Sequence, residues 1–113
     1  MNKASFYIRL KNGEETVYQQ VDGFRFNWNK HPFGLWHKGR SQWVMIDIRS
    51  GMSIIQMPNR KDLDSHLTDD LFKRIAESYK KPFYKRVCDE LNYHVYGDKW
   101  FKYGDKDKYE DFG

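Results

Sequence analysis

The chain has 113 residues, of which 32% are charged and 18% aromatic, and its formal net charge is +4. This length supplies one hydrophobic core, and the composition is that of a folded domain rather than of a disordered chain. No stretch reaches the roughly 18 apolar residues of a membrane span, and residues 1–10 lack the apolar segment of a signal peptide. With Cys88 as the single cysteine, these features predict a cytoplasmic protein without an internal disulfide bond and without membrane contact.

A β-hairpin is the first element that the sequence predicts. Apolar and polar residues alternate over residues 5–11 and 15–21, which is the period of two that half-buried strands show. Asn12 and Gly13, between these segments, are typical of a two-residue type I′ turn. The cross-strand pairs that follow from this turn are Lys11 with Glu14, Ile8 with Val17 and Tyr7 with Tyr18.

Further short strands are expected in residues 22–57. Asp22 and Gly23 predict a second turn. Three aromatic residues then share one face of the next strand: Phe24, Phe26 and Trp28. The strand pattern is interrupted at three positions: Pro32, Gly34 and Gly39.

A strong strand is predicted at residues 42–48, and Ser50-Gly51 indicates a hairpin to residues 52–57. Alternation along the first of these strands places three aliphatic residues in the core: Val44, Ile46 and Ile48. The opposite face of the same strand carries Trp43, Met45 and Asp47.

The period becomes helical after Asn59. Thr68 is a good N-cap, and the apolar stripe that follows it consists of Leu71, Phe72, Ile75, Ala76 and Tyr79. Pro82 suits the first turn of a second helix, whose apolar residues are Phe83, Val87, Cys88, Leu91 and Val95. Gly97 is the predicted end of that helix.

These elements predict an α+β fold. An antiparallel sheet of about four or five strands, formed by the N-terminal half, is covered on one face by two C-terminal helices. Residues 1–97 are expected to form this single domain, and residues 98–113 a charged, aromatic and partly flexible tail.

Residues with catalytic or metal-binding chemistry are few. His31 and His37 lie close in the sequence, but no cysteine or acid in that segment can complete a metal site. Cys88 falls on the apolar stripe of a predicted helix. A cysteine in such a position is usually buried and behaves as a small hydrophobic residue. No phosphate-binding glycine loop, nucleophile elbow or dinucleotide fingerprint is present. The sequence therefore predicts neither an enzyme nor a bound metal or cofactor.

A basic and aromatic segment is the strongest candidate for function, because residues 23–46 contain four cations and no acid. The partner-binding surface predicted from it consists of Arg25, Trp36, Lys38, Arg40 and Trp43. Trp and Arg are the residue types that carry protein-binding hot spots, whereas aromatic rings with cations also bind single-stranded nucleic acid. Both partners stay open at this point, as do a monomer and a homodimer.

The run WVMIDIRSGMSIIQMPNRKDLDSHL, residues 43–67, resembles an arrangement in small proteins of phages and mobile elements of Gram-positive bacteria. The whole chain is similar in kind to anti-CRISPR proteins, which occlude a working surface of a host enzyme. The resemblance implies a non-enzymatic binding protein in the host cytoplasm that inhibits or modulates a host protein. The alternative is a small nucleic-acid-binding module that uses a basic aromatic sheet face.

Overall fold

The computed structural model describes residues 1–96, which form five β-strands followed by helices. The strands are β1 (Asn2–Asn12), β2 (Glu15–Trp28), β3 (His31–Gly39), β4 (Gln42–Asp47) and β5 (Ser53–Met57). Each strand pairs antiparallel with the next, in the order β1-β2-β3-β4-β5. The α+β fold with an N-terminal antiparallel sheet is confirmed. The predicted tail, residues 98–113, lies outside the described residues.

The helices follow the sheet in the chain. A 3₁₀ turn at Arg60–Asp62 leads into α1 (Leu63–His66), α2 (Asp69–Tyr79) and α3 (Pro82–Tyr96). The predicted cap of α2 is confirmed, because the Thr68 hydroxyl accepts a hydrogen bond from the Leu71 amide at 3.2 Å. Within residues 1–96, no helix combines the length and the apolar character needed to cross a membrane.

The register of the first hairpin differs from the predicted one. Asn12 pairs with Glu15, so the turn is centred on Gly13 and Glu14 rather than on Asn12 and Gly13. The pairs that result include Leu10 with Val17, Arg9 with Tyr18, Ile8 with Gln19 and Tyr7 with Gln20. The predicted turn needs a positive φ at Asn12, whereas the observed turn places only Gly13, at +67°, in that region.

The turn predicted at Asp22-Gly23 is wrong, because β2 runs through both residues. The Ser5 hydroxyl donates a 2.6 Å hydrogen bond to Asp22 across the strand pair. Gly23 lies against the Phe6 ring and the Leu35 carbonyl, where a side chain would not fit. The chain turns instead at Asn29-Lys30, both with positive φ, as a type I′ turn requires.

The interruption predicted at Pro32 and Gly34 is also wrong, because β3 is continuous from His31 to Gly39. Pro32 pairs with Asn27 and tolerates the strand conformation. A Cβ on Gly34 would lie 2.5 to 2.8 Å from three carbons of the Phe6 ring. Gly34 is therefore the place where the sheet accepts the Phe6 ring on its surface, and the strand ends in a bulge between His37 and Gly39.

The sheet is curled, so that its first strand approaches its last ones. The Arg9 amide donates a 2.8 Å hydrogen bond to the Gly51 carbonyl in the β4–β5 connection. In a flat sheet, β1 and β4 would be about 14 Å apart, three strand spacings. Together with the contact of Phe6 with Gly34, this bond defines a concave face inside the curl.

Both faces of the sheet are buried. The concave face holds a core formed by strand residues and the start of the β4–β5 connection: Phe6, Ile8, Val21, Val44, Ile46 and Ile48. The opposite face, called here the helix-covered face, joins strand residues to α1 and α2 in a second core: Phe33, Leu35, Met45, Met57, Leu63, Leu71 and Ile75. The helices thus cover one face, and the first hairpin fills the other.

One residue of the predicted apolar stripe of α3 is misplaced. Val87, Cys88 and Leu91 are buried as predicted, but Phe83 is 49% exposed. Tyr84 occupies the inward position instead, because Tyr84, Val87, Cys88 and Leu91 keep the helical spacing of three, four and seven residues.

Candidate functional site

The five residues predicted to bind a partner do not share one face of the sheet. Trp36 pairs with Val44, and His37 pairs with Trp43. Because neighbouring side chains of a strand point to opposite faces, Trp36 lies on the concave face and Trp43 on the helix-covered face. Arg40 lies in the β3–β4 turn and is exposed.

The concave-face group consists of Arg25, Trp36 and Lys38. Arg25 pairs with Gly34, which places it on the same face as Trp36. Trp36 packs partly against the concave-face core and, with the exposed Lys38, lines a shallow hollow of about 100 Å³. This group combines one half-buried indole with cations, and it leaves little room for a large ligand.

A second aromatic and cationic group surrounds Trp43 on the helix-covered face. The His37 ring stacks on the Trp43 indole, with 4.3 Å between centroids and 7° between planes. Phe24 lies beside the indole at 6.4 Å. The Arg60 guanidinium is 4.7 Å from the Phe24 centroid and 6.0 Å from that of Trp43, within cation–π range. These four residues are called the Trp43 cluster.

The Trp43 cluster is packed against the core on one side and exposed to solvent on the other. Phe24 and Trp43 are half-buried and pack against the core of the helix-covered face, whereas His37 and Arg60 are exposed. Lys61 next to Arg60 is exposed as well. The result is a rigid aromatic platform with a positively charged rim.

Three members of the Trp43 cluster were not predicted from the sequence. The sequence places Phe24 only on a strand face with two other aromatic residues, it offers His37 only as a metal ligand, and Arg60 follows β5 in another segment. The basic composition of residues 23–46 was the signal that pointed to this region. The register of β2, β3 and β4 is needed to show that Phe24, His37 and Trp43 lie close together.

A buried carboxylate forms a second feature of the helix-covered face. Asp47, only 3% exposed, accepts hydrogen bonds from the hydroxyls of Ser50 at 2.5 Å, Tyr84 at 2.8 Å and Tyr79 at 3.3 Å. Burial raises the pKa of Asp47, although the three hydroxyl donors partly oppose that shift. Burial and the neighbouring carboxylate also raise the pKa of both tyrosines. Asp47 therefore ties β4 to α2 and α3.

His31 lies beside this network. An Arg49 nitrogen lies 3.0 Å from His31 Nδ1, and because a guanidinium only donates, Nδ1 accepts and the imidazole is uncharged. The ring contacts Tyr79, with 4.8 Å between centroids, and Phe72 at 5.8 Å. Burial lowers the pKa of His31, and the Arg49 charge lowers it further.

A cleft of about 390 Å³ opens above Asp47 between β5 and the helices α2 and α3. Its floor holds Asp47, Tyr79 and Tyr84. Arg74 and Lys81 border it, and both side chains are exposed. This volume lies within the range of small-molecule sites.

Groups capable of metal binding or nucleophilic chemistry stay dispersed. Among residues 1–96, no three side chains of His, Cys, Asp or Glu come together to hold a metal ion. Cys88 is 5% exposed, and burial, with the charge of Asp47, raises its pKa to about 12. The thiolate is strongly disfavoured at neutral pH, and the interpretation of Cys88 as a buried hydrophobe is confirmed.

Comparison of the chain with family models, with curated proteins and with solved structures found no match. Among residues 1–96, the Trp43 cluster, the concave-face group and the cleft above Asp47 each offer a surface to another molecule.

Proposed function

We propose that this chain is a non-enzymatic binding protein that covers a surface of another protein, with the Trp43 cluster at the centre of the contact. The observation that carries the proposal is the pairing of two half-buried aromatic rings with the exposed His37 and Arg60. Tryptophan and arginine dominate the energetics of protein interfaces when they sit in a well-packed centre.

In this proposal the partner is a protein of a bacterial host, as the likeness of residues 43–67 to phage and mobile-element proteins implies. The contact takes place in the host cytoplasm and inhibits or modulates the partner by occluding it. No catalytic step is part of this function, and the binding energy alone produces the effect.

The stacking within the Trp43 cluster favours a protein over a nucleic acid. Sequence-tolerant binding of single strands needs free aromatic faces on which bases stack. His37 already covers one face of the Trp43 indole, and Arg60 lies over the Phe24 ring. A protein partner needs no free ring face, because its side chains can contact ring edges and the cationic rim.

The charge of this region favours an acidic partner surface. Residues 23–46 contain no acid, and the exposed Arg60 and Lys61 extend the positive rim from another segment. Complementary charge speeds association and excludes like-charged surfaces. The anchoring of Phe24 and Trp43 in the core lowers the ordering cost of binding, since these rings are already held in place.

A nucleic acid is the second candidate partner, and the concave-face group favours it. Arg25, Trp36 and Lys38 share that face, and they combine a half-buried indole with two cations. Binding through phosphates would weaken steeply and log-linearly as salt rises.

Capture from a Gram-positive bacterial lysate, with and without nuclease, separates the two candidates. The baits are the wild type, the double variant His37→Gln with Arg60→Gln, and the double variant Trp36→Ala with Lys38→Gln. Lys73→Gln serves as the matched control, because Lys73 is exposed on α2 away from both groups. Circular dichroism first establishes that each bait is folded.

We expect a nuclease-resistant protein that is retained by the wild type and by Lys73→Gln and lost from His37→Gln with Arg60→Gln. If the captured material disappears after nuclease treatment and its capture depends on Trp36 and Lys38, the partner is a nucleic acid. Retention by every bait would show that neither group makes the contact.

A further inference from the structure

The cleft above Asp47 has no role in the proposed contact at the Trp43 cluster. We propose that it is a binding site for a small amphiphilic anion, namely a carboxylate that carries a short hydrocarbon chain. This inference is independent of the proposed function, because it concerns different side chains and a ligand of a different class.

The walls of the cleft are mainly apolar, although Ser53 and Ser78 also line it. Leu71 and Ile75 of α2 are buried, and Ile54 of β5 faces them as a half-buried side chain. Met52, from the connection that precedes β5, extends this surface. A hydrocarbon chain on these walls would be removed from water, which contributes about 0.8 kcal/mol for each buried methylene.

Phe83 indicates where such a ligand would lie. It borders the cleft and is 49% exposed, although it belongs to a helix whose neighbouring apolar residues are buried. The Arg86 guanidinium covers part of the ring at 5.9 Å. A ligand in the cleft would cover the side of Phe83 that faces the walls.

The cations at the rim select the charge of the ligand. Within residues 1–96, neither Arg74 nor Lys81 forms a salt bridge, whereas Lys80 pairs with Glu77 and Lys85 with Asp89. Two cations at one opening attract an anionic head group, which can remain partly in water between them.

The floor does not compete for that head group. Asp47 already accepts hydrogen bonds from three hydroxyls, two of them on tyrosines that line the cleft. The polar groups of the floor are thus satisfied within the protein. The carboxylate of the ligand is held at the rim, as far from Asp47 as the cleft permits.

Titrations of the ¹⁵N-labelled full chain with octanoate, octylammonium and octanol test the proposal, because these probes share one hydrocarbon chain and differ in charge. We expect octanoate to shift the amide signals of Ile54, Ile75 and Phe83, and to bind at least about tenfold more tightly than the other two probes. The double variant Arg74→Gln with Lys81→Gln should reduce octanoate binding to the level of octanol.

Lys73→Gln, which removes a cation from the same helix outside the cleft, should leave octanoate binding unchanged. Phe83→Ser should weaken octanoate and octanol alike, since both use the same apolar surface. Equal binding of all three probes, preference for octylammonium, shifts outside the cleft or the absence of binding would each overturn the proposal.

Discussion

At the scale of single residues, Asp47 joins α2 and α3 to the sheet through hydrogen bonds. Its carboxylate accepts three hydrogen bonds from Ser50, Tyr79 and Tyr84, which belong to different parts of the fold. A buried charge of this kind is costly unless its partners remain in place. The free energy of the folded state therefore depends on the whole set rather than on one bond.

Asp47→Ala should lower the free energy of unfolding by about 3 kcal/mol, because it leaves buried hydroxyl groups without their acceptor. Urea unfolding followed by circular dichroism measures this loss. Asp89→Ala is the control, since Asp89 takes part only in an exposed pair with Lys85 and should cost less than about 1 kcal/mol. Equal losses in the two variants would contradict the role of Asp47.

His31 and Asp47 should change stability with pH in opposite directions. The pKa of His31 is lowered in the folded protein, so the unfolded chain takes up this proton first as pH falls through about 6.5, and stability decreases. The pKa of Asp47 is raised, so the folded protein takes up that proton first. Stability therefore increases as the pH falls through the folded pKa of Asp47 toward about 3.9.

Unfolding measured between about pH 8 and about pH 4 in matched variants separates these contributions. As the pH falls through about 6.5, the free energy of unfolding of the wild type should decrease relative to that of His31→Gln. As the pH falls further toward about 4, it should increase relative to that of Asp47→Asn. Differences that stay constant across this range would show that neither group changes its pKa on folding.

At the scale of elements, Gly34 decides how the sheet curls. The Phe6 ring lies where a side chain at Gly34 would be, and this contact brings β1 over the concave face of β3. Gly39 ends the same strand with only the flexible Gln42 side chain nearby, at 3.2 Å from an added Cβ. The two glycines thus differ in their neighbours within one strand.

Gly34→Ala should destabilise the protein by about 2 kcal/mol through overpacking against Phe6, as measured by thermal or urea unfolding. Gly39→Ala, the matched control, should change stability by less than about 0.5 kcal/mol. Adding Phe6→Leu to Gly34→Ala should cost less than the sum of the two single changes, because the smaller side chain leaves room for the new methyl group. Strict additivity would show that Phe6 does not cause the loss.

The sequence predicts elements well where a local rule decides them. The strand at residues 42–48, the cap at Thr68 and the helix start at Pro82 all follow from periodicity or capping. The local pattern predicts a turn at Asp22-Gly23 and breaks at Pro32 and Gly34, but tertiary packing places these residues inside β2 and β3. Local propensity cannot show that a residue distant in the sequence, such as Phe6, packs its ring on the glycine.

The candidate site was predicted in part, for a similar reason. The basic and aromatic composition pointed to the correct region, but Trp36 and Trp43 are separated by the alternation of paired strands. Arg60 meets Phe24 only because β5 returns the chain to that end of the sheet. Contacts between distant segments leave no local pattern in a single sequence.

At the scale of the whole molecule, the fold keeps the two proposed binding surfaces apart. The helix-covered face carries the Trp43 cluster at one place and the cleft above Asp47 at another, with no described residue in common. The core between them holds Met45 and Leu35 without solvent exposure, so both surfaces rest on a rigid support. A protein contact at one surface and a small anion at the other are compatible with this arrangement.

We propose above all that His37 and Arg60 of the Trp43 cluster supply binding energy for a protein partner. Isothermal titration calorimetry with the purified captured partner measures this binding energy directly. Three proteins are compared: the wild type, the double variant His37→Gln with Arg60→Gln, and the control Lys73→Gln. We expect the double variant to bind at least about tenfold more weakly, a loss of about 1.4 kcal/mol, and Lys73→Gln to bind as the wild type does. Equal affinities for all three proteins would contradict it.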